Sequence, residues 1–174
     1  MKTTDDNAKE IRAWFEHHGW TFEEKAVDGD VVFLTHMAAA DGLLFKGYAV
    51  RIIVYGSGKI QAVFLPPVTV PKKFFPAISE YFGRINAQFL LGKWVLDYGD
   101  GEPRWVLLKE VERLNPGAEE VMSDLIGFSG TMCDKYAEGI VRIIMGNATP
   151  EELVRVDEEE QDGSDRNCRE GSEG

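Results

Sequence analysis

The cysteines and histidines that could carry catalysis or bind a metal ion are few and unfavourably spaced. The two cysteines, Cys133 and Cys168, are far apart in the sequence, and His17 and His18 are adjacent. Adjacent residues point to different faces of a helix, so this pair cannot offer the spaced ligands of a zinc site. We therefore predict no metal and no cofactor. Cys133 falls in a helical core pattern and Cys168 in a polar C-terminal segment, so no disulfide is expected, which indicates a reducing cytoplasm.

Two short segments resemble catalytic motifs but lack required residues. Gly56-Ser57-Gly58-Lys59 lacks both the earlier glycine and the following serine or threonine of a phosphate-binding loop, and we interpret it as a hairpin turn. Gly127-Phe128-Ser129-Gly130-Thr131 lacks the last glycine of a nucleophile elbow and follows no predicted strand. We predict no catalytic residues and a protein that is not an enzyme. The alternative is a small regulatory or unrecognised enzyme with a carboxylate-lined pocket.

The charge of the chain is concentrated at its C-terminal end. The 174 residues have a formal net charge of −11, and residues 157–174 account for −6 of it. Those residues contain no Leu, Ile, Val, Phe, Tyr, Trp or Met, so we predict a disordered acidic tail after a single domain of residues 1–156. Such tails usually increase solubility, and the alternative is contact with a basic protein partner. The body has no basic cluster with interleaved aromatic residues, so we predict no binding to nucleic acid.

Neither a signal peptide nor a membrane span is predicted. The first residues, Met1 to Arg12, are polar and contain no apolar stretch of signal-peptide type. The apolar runs are of strand length, well short of the roughly 18 residues that would indicate a membrane helix. We predict a cytoplasmic protein without a membrane partner.

Hydrophobic spacing and turn residues predict an α+β chain with the order helix, strands, helix, hairpin, helix. The predicted helices cover residues 7–18, run from near Pro76 to Gly92, begin at Asn115-Pro116, extend over Cys133–Ile144 and begin at Thr149. The predicted strands are Thr21–Val27, Val31–Met37, Tyr48–Tyr55, Lys59–Leu65, Lys93–Asp97 and Arg104–Leu108.

Four local expectations follow from these patterns. Asn7 is predicted to cap the first helix. The strand at 48–55 is predicted to be covered on both faces, because both of its alternating sets of residues are mostly apolar. Gly127 and Gly130 are expected to kink or divide their helical region. Cys133 fits the apolar stripe of its helix and is expected to be a small core residue rather than a nucleophile.

Three patterns between Phe75 and Val154 follow one another in a characteristic order. A helix ending in Arg84-Ile85-Asn86 is followed by the segment Leu91-Gly92-Lys93-Trp94-Val95-Leu96-Asp97 and a Gly-Asp-Gly turn. A later helix ends at Gly146 and leads to Thr149-Pro150-Glu151-Glu152. This order resembles the YbjN family, and in the order of elements the resemblance extends over about residues 1–155.

The resemblance implies a fold similar to that of type III secretion chaperones, with helices packed on a curved antiparallel β-sheet and a homodimer as the common assembly. Members of the family are bacterial proteins regarded as candidate regulators of sensory transduction, and no chemistry is established for them. For this chain the resemblance therefore implies a non-catalytic protein-binding module, either chaperone-like or a regulatory adaptor. Its partner would be a protein or peptide of unknown identity, bound through sheet and helix surfaces.

Four residues are candidates for contact with such a partner. Arg84 faces away from the apolar stripe of its helix, so we predict that it is solvated or paired with Glu80. Asn86 lies beside the stripe, and we predict that it bonds backbone groups at the helix end. Either could instead contact a partner. Arg51 and Tyr55 are the candidates on the apolar strand at 48–55.

Overall fold

The computed structural model of the chain describes residues 2–111, 114 and 118–154 and confirms the α+β class. The predicted helix start at Asn115-Pro116 and the acidic segment 157–174, with Cys168, lie outside the described residues. The helices are α1 (Lys2–His17), α2 (Phe75–Asn86), α3 (Ala118–Met122) and α4 (Ser129–Ile144). The strands are β1 (Phe22–Val27), β2 (Asp30–Ala38), β3 (Gly47–Val54), β4 (Lys59–Leu65), β5 (Lys93–Leu96) and β6 (Pro103–Glu110).

The six strands form one unclosed antiparallel sheet in the order β1-β2-β3-β4-β6-β5. Short turns connect β1 to β2 and β3 to β4. At the first of these, Asp28 and Gly29 both have positive φ values, 52° and 88°, which match the right-handed twist of a two-residue hairpin. The later hairpin joins the sheet through β6, so β1 and β5 are the two edge strands.

The helices pack against one face of the sheet, here called the inner face. Phe15 of α1 packs on Phe33 of β2, and Phe82 of α2 stacks on Trp94 of β5 at a ring distance of 5.2 Å. These contacts, together with those of α4, enclose one hydrophobic core. Trp105 of β6 has no exposed surface. The inner-face residues of β3, all buried, are Tyr48, Val50, Ile52 and Val54.

The prediction that both faces of β3 are covered is wrong. The opposite set of side chains is half-buried at Ala49 and Ile53 and exposed at Arg51. The reason is that the described helices all lie on the inner face, which could not be deduced from the alternation of residues within the strand.

The predicted cap at Asn7 is also wrong. The first helix begins five residues earlier, at Lys2, so Asn7 lies inside it and is only 1% exposed. Its side-chain oxygen accepts a hydrogen bond of 3.1 Å from the backbone N–H of Leu114, and its amide nitrogen approaches the carbonyl of Val111 at 3.4 Å. Asn7 therefore fastens α1 to the chain that follows β6.

The expected irregularity at Gly127 is confirmed, but Gly130 lies inside α4 and does not divide it. Helical backbone continues from α3 to α4, but residues Ser123–Phe128 form a π-helical turn between them. Gly130 then lies against β2, where an added Cβ would be 2.3 Å from the terminal methyl carbon of Met37. Cys133, with no exposed surface, is a core residue as predicted.

The helix α2 ends at Asn86 rather than at the predicted Gly92. At its C-terminal end, the backbone N–H of Ala87 donates to the carbonyl oxygens of both Gly83 and Ile85. Gly92 lies in the following loop with a φ of +73°, and a Cβ there would be 2.3 Å from the ring of Trp105. Both the backbone conformation and the close approach therefore require glycine.

The chain after α4 begins a further short helix at residue 150. Thr149 and Glu152 exchange hydrogen bonds of 2.8 and 3.3 Å between side chains and backbone, which confirms the predicted capping box. Within the described part of the chain, none of the helices combines the length and apolar character needed to cross a bilayer.

Candidate functional site

The face of the sheet opposite the helices, here called the outer face, has an unusual residue composition. The strand register places side chains of five strands side by side on it. Most of them are aliphatic, although no described helix covers them. The nine aliphatic side chains, here called the apolar band, are Val32, Leu34, Ala49, Ile53, Val63, Leu65, Val95, Val106 and Leu108.

Exposure varies across the apolar band. Leu108 is 46% exposed, and most other members are half-buried. Val63 and Leu65 on β4 are 8% and 6% exposed. An antiparallel sheet with one solvated face normally alternates apolar and polar residues. Here β2, β3, β4 and β6 place aliphatic side chains on both faces, which is the pattern of strands whose second face is also covered.

Arg51 lies within the apolar band, in its middle row. Its direct neighbours across the strands are Leu34 and Val63, and its neighbours along β3 are Ala49 and Ile53. The side chain is exposed. Among the residues that the structure describes, it has no hydrogen bond or ion pair. The nearest acidic residue in the same row, Glu23, lies two strands away and pairs with Lys25 at 3.2 Å.

Tyr55 follows β3 and lies at the border of the outer face. Its hydroxyl donates a hydrogen bond to the side-chain oxygen of Gln61. Burial raises the pKa of Tyr55, and the carboxylate of Asp30 raises it further. Tyr55 is therefore a neutral, hydrogen-bonded phenol next to the apolar band.

The other two candidates, Arg84 and Asn86, lie on α2, which packs against the inner face. Arg84 pairs with Glu80 at 2.8 Å, as predicted. Asn86 bonds backbone groups, also as predicted, but those of a strand: it accepts from the N–H of Trp94 at 2.8 Å and donates to the carbonyl of Trp94 at 3.0 Å. The structure thus places Arg51 and Tyr55 on the outer face, and it does not bring Arg84 or Asn86 to them.

The bond pair of Asn86 has a consequence for the edge of the sheet. Trp94 lies on edge strand β5, where an unpaired N–H and C=O would otherwise offer a docking position for another strand. The carboxamide of Asn86 takes the place of a neighbouring peptide group. This edge is therefore capped by α2.

The alternative of an enzyme requires a carboxylate-lined pocket. A cleft of about 380 Å³ between α2, α4 and residues 147–153 has two carboxylates, Glu138 and Glu152, in its lining. Its two carboxylates already hold backbone groups. Glu138 accepts a hydrogen bond from the N–H of Leu44, and Glu152 accepts one from the N–H of Thr149. The bonds from Thr149 hold the pKa of Glu152 below its usual range. The cations Lys135 and Arg142 line the same cleft. Because both carboxylates are bound to backbone N–H groups, the described lining of the cleft has no pair of acidic side chains directed into open space.

The remaining chemical candidates occupy structural positions. Ser129 is fully buried inside helical backbone, so the segment Gly127–Thr131 forms no nucleophile elbow. Burial raises the pKa of the Cys133 thiol well above its usual range. Gly58 has a φ of +79° in the turn between β3 and β4, as predicted for a hairpin. In the part of the chain that the structure describes, no three His, Cys, Asp or Glu side chains are placed to hold a metal ion.

The sequence did not identify the apolar band as a unit. Its members come from five strands, and only the register brings them together. A signal is present, because β3 and β4 each have aliphatic residues at consecutive positions, but this pattern equally fits a strand covered on both faces within one chain.

Comparison with known proteins gives a structural likeness. No protein-family model matches the chain, and no curated protein matches it in sequence. Among solved structures, the chain is similar to YbjN from E. coli, which is described as a candidate transcription regulator. The two share 17% sequence identity with a TM-score of 0.46, over 75% of this chain and 93% of that chain.

Proposed function

We propose that the protein is a non-catalytic protein-binding module, chaperone-like or a regulatory adaptor, that binds a partner through the outer face of its sheet. The observation that carries this proposal is the apolar band, which no described helix covers. Contiguous aliphatic surface of this kind is costly to leave in water and marks interaction sites in monomeric proteins.

The rest of the molecule supports a binding role. Edge strand β5 is capped by Asn86, and edge strand β1 displays the charged residues Glu23, Glu24 and Lys25, which disfavour strand addition. The cleft between α2 and α4 has its carboxylates engaged by backbone groups. Among the described residues, the outer face is a surface whose residue types call for a covering partner.

The test compares two substitutions of the same kind on the same face. Leu108, inside the apolar band, is 46% exposed, and Val27, at the outer end of β1, is 49% exposed. Each is replaced by glutamate, and both variants are checked for unchanged circular dichroism and urea unfolding. Wild-type, Leu108→Glu and Val27→Glu proteins are then used to capture partners from the native lysate with quantitative mass spectrometry.

The proposal is supported by a protein that wild type and Val27→Glu capture in equal amounts and that Leu108→Glu captures in an amount lower by about fivefold or more. The reason is that binding would remove water from the introduced carboxylate, which is unfavourable. Identical capture by all three proteins would refute it. The homodimer that the family resemblance implies stays a prediction. Light scattering at high protein concentration tests it, and a strictly monomeric species would contradict it.

A further inference from the structure

Arg51 restricts what can bind to the outer face. A partner that covers the apolar band must also remove water from the Arg51 guanidinium, whose four nearest positions on the sheet are aliphatic. Burial of an unpaired charge strongly opposes binding, whereas a carboxylate that pairs with the arginine in good hydrogen-bond geometry offsets most of this cost. The partner must therefore bring an acidic group to this position.

A second copy of the chain fits this requirement poorly. Arg51 lies in the middle row of the band and only one strand from its centre on β4. Two packed sheets are about 10 Å apart. Two-fold symmetry would therefore place two guanidinium groups within about 10 Å of each other in one dehydrated layer, where like charges repel. The acidic segment 157–174 of the same chain has carboxylates but lacks the aliphatic side chains needed to cover the band.

The size of the band matches one helix. It extends over five adjacent strands, which corresponds to about 19 Å across the sheet at a strand spacing of about 4.8 Å. Its three rows span about 13 Å along the strands. A helix has a diameter of about 10 Å and rises about 1.5 Å per residue, so about 13 residues would cover the band.

We propose that the outer face binds an amphipathic helix of three to four turns from another protein, and that a carboxylate about one turn from the middle of its apolar stripe pairs with Arg51. This inference rests on the binding role proposed above and specifies the chemistry of the partner. The planar guanidinium suits a carboxylate that accepts two parallel hydrogen bonds. Specificity for this partner comes from Arg51, and the aliphatic side chains supply the buried area.

A displayed library of 14-residue amphipathic helices tests the inference. The stripe positions are randomised among aliphatic, acidic, basic and amide residues, and binders are selected on wild-type protein, on Arg51→Glu and on Lys93→Gln. Lys93 is the matched control, because it lies in the same row of the outer face but on edge strand β5. Selected peptides are then measured by fluorescence anisotropy, with their acidic residue replaced by the corresponding amide.

The expected binders on wild-type protein and on Lys93→Gln carry Asp or Glu at one stripe position about one turn from the middle of the helix, and binders on Arg51→Glu carry Lys or Arg there. Replacing the acid by its amide should weaken binding to the wild type about tenfold and leave binding to Arg51→Gln unchanged. Arg51→Lys should keep only part of the preference for the acid.

Different experimental results would contradict the binding role of the outer face and the pairing of Arg51 with a carboxylate. Binders that are lost with Leu108→Glu but show no acidic preference would overturn the inference about Arg51 and leave the binding role in place. A dimer that dissociates on Leu108→Glu substitution would overturn it as well, because a second copy would then occupy the face. Binders insensitive to Leu108→Glu, or a selection that yields no binder, would overturn both proposals.

Discussion

Replacing Asn86 by alanine tests whether one side chain caps the edge of the sheet. The carboxamide makes two hydrogen bonds, of 2.8 and 3.0 Å, to the N–H and C=O of Trp94. The site is half-buried. Each neutral hydrogen bond contributes a net free energy of about 0.5–1.5 kcal/mol, so Asn86→Ala should lower the free energy of unfolding by about 2 kcal/mol. For a body of this size the melting temperature should fall by about 4–8 °C.

The variant Asn86→Asp tests the accepting and the donating hydrogen bond of this side chain separately. The aspartate can still accept from the N–H of Trp94, but its second oxygen would face the carbonyl of Trp94 and repel it. At neutral pH this variant should therefore be at least as unstable as Asn86→Ala. Gln88→Ala is the matched control, because Gln88 is an exposed amide two residues further along. It should change stability by less than about 0.5 kcal/mol.

The assay is urea unfolding followed by tryptophan fluorescence, with the slope of the transition compared among variants. Asn86→Ala should also promote concentration-dependent association by light scattering, because the freed groups of Trp94 can pair with another strand. If Asn86→Ala lies within about 0.5 kcal/mol of the wild type, or if Asn86→Asp is as stable as the wild type, the carboxamide does not secure this edge.

Three further predictions concern two glycines, a buried tyrosine and a buried thiol. Gly83→Ala, in the exposed middle of α2, should stabilise the protein by about 0.5–1 kcal/mol, whereas Gly92→Ala should destabilise it by about 3 kcal/mol or more because its Cβ would overlap an indole ring; equal effects in urea titrations would contradict this. Burial and a hydrogen-bonded carboxylate raise the pKa of Tyr48, so its contribution to stability is complete below about pH 10, the unfolded pKa of tyrosine, and is lost as the pH rises further. The difference in stability between wild type and Tyr48→Phe should therefore shrink from pH 8 to pH 11, and a constant difference would be evidence against the assignment. Burial raises the pKa of the Cys133 thiol, so a disulfide reagent should modify Cys168→Ser protein only as fast as it unfolds, and immediate labelling would disprove this.

Local patterns in the sequence predicted the elements well. The stripe of α2, the turn at Asp28-Gly29 and the capping box at Thr149 depend on neighbours within a few residues, and all three are present. For Asn86 the kind of bond, side chain to backbone, was predicted, but its partner Trp94 lies on β5 rather than at the helix end.

Contacts between distant parts of the chain were not predictable in this way. Asn7 has the residue type of a helix cap, and its actual partners are 104 and 107 residues away. The insertion of β6 between β4 and β5 likewise leaves no local pattern. The candidate site depends on the same kind of information. Arg51 could be selected from its strand, but its aliphatic neighbours Leu34 and Val63 belong to β2 and β4.

The π-helical turn at Ser123–Phe128 affects how this chain should be compared with others. A π-helical turn holds about one residue more than an α-helical turn, and each residue of an α-helix advances by about 100° around the axis. A one-residue insertion is absorbed there without moving α4 off the sheet. An ungapped alignment with a chain that has a regular α-helix over this segment will therefore shift every position after Phe128 by one residue. It will assign Cys133 and Asp134 to the wrong side of α4 while the rest of the chain remains correctly matched.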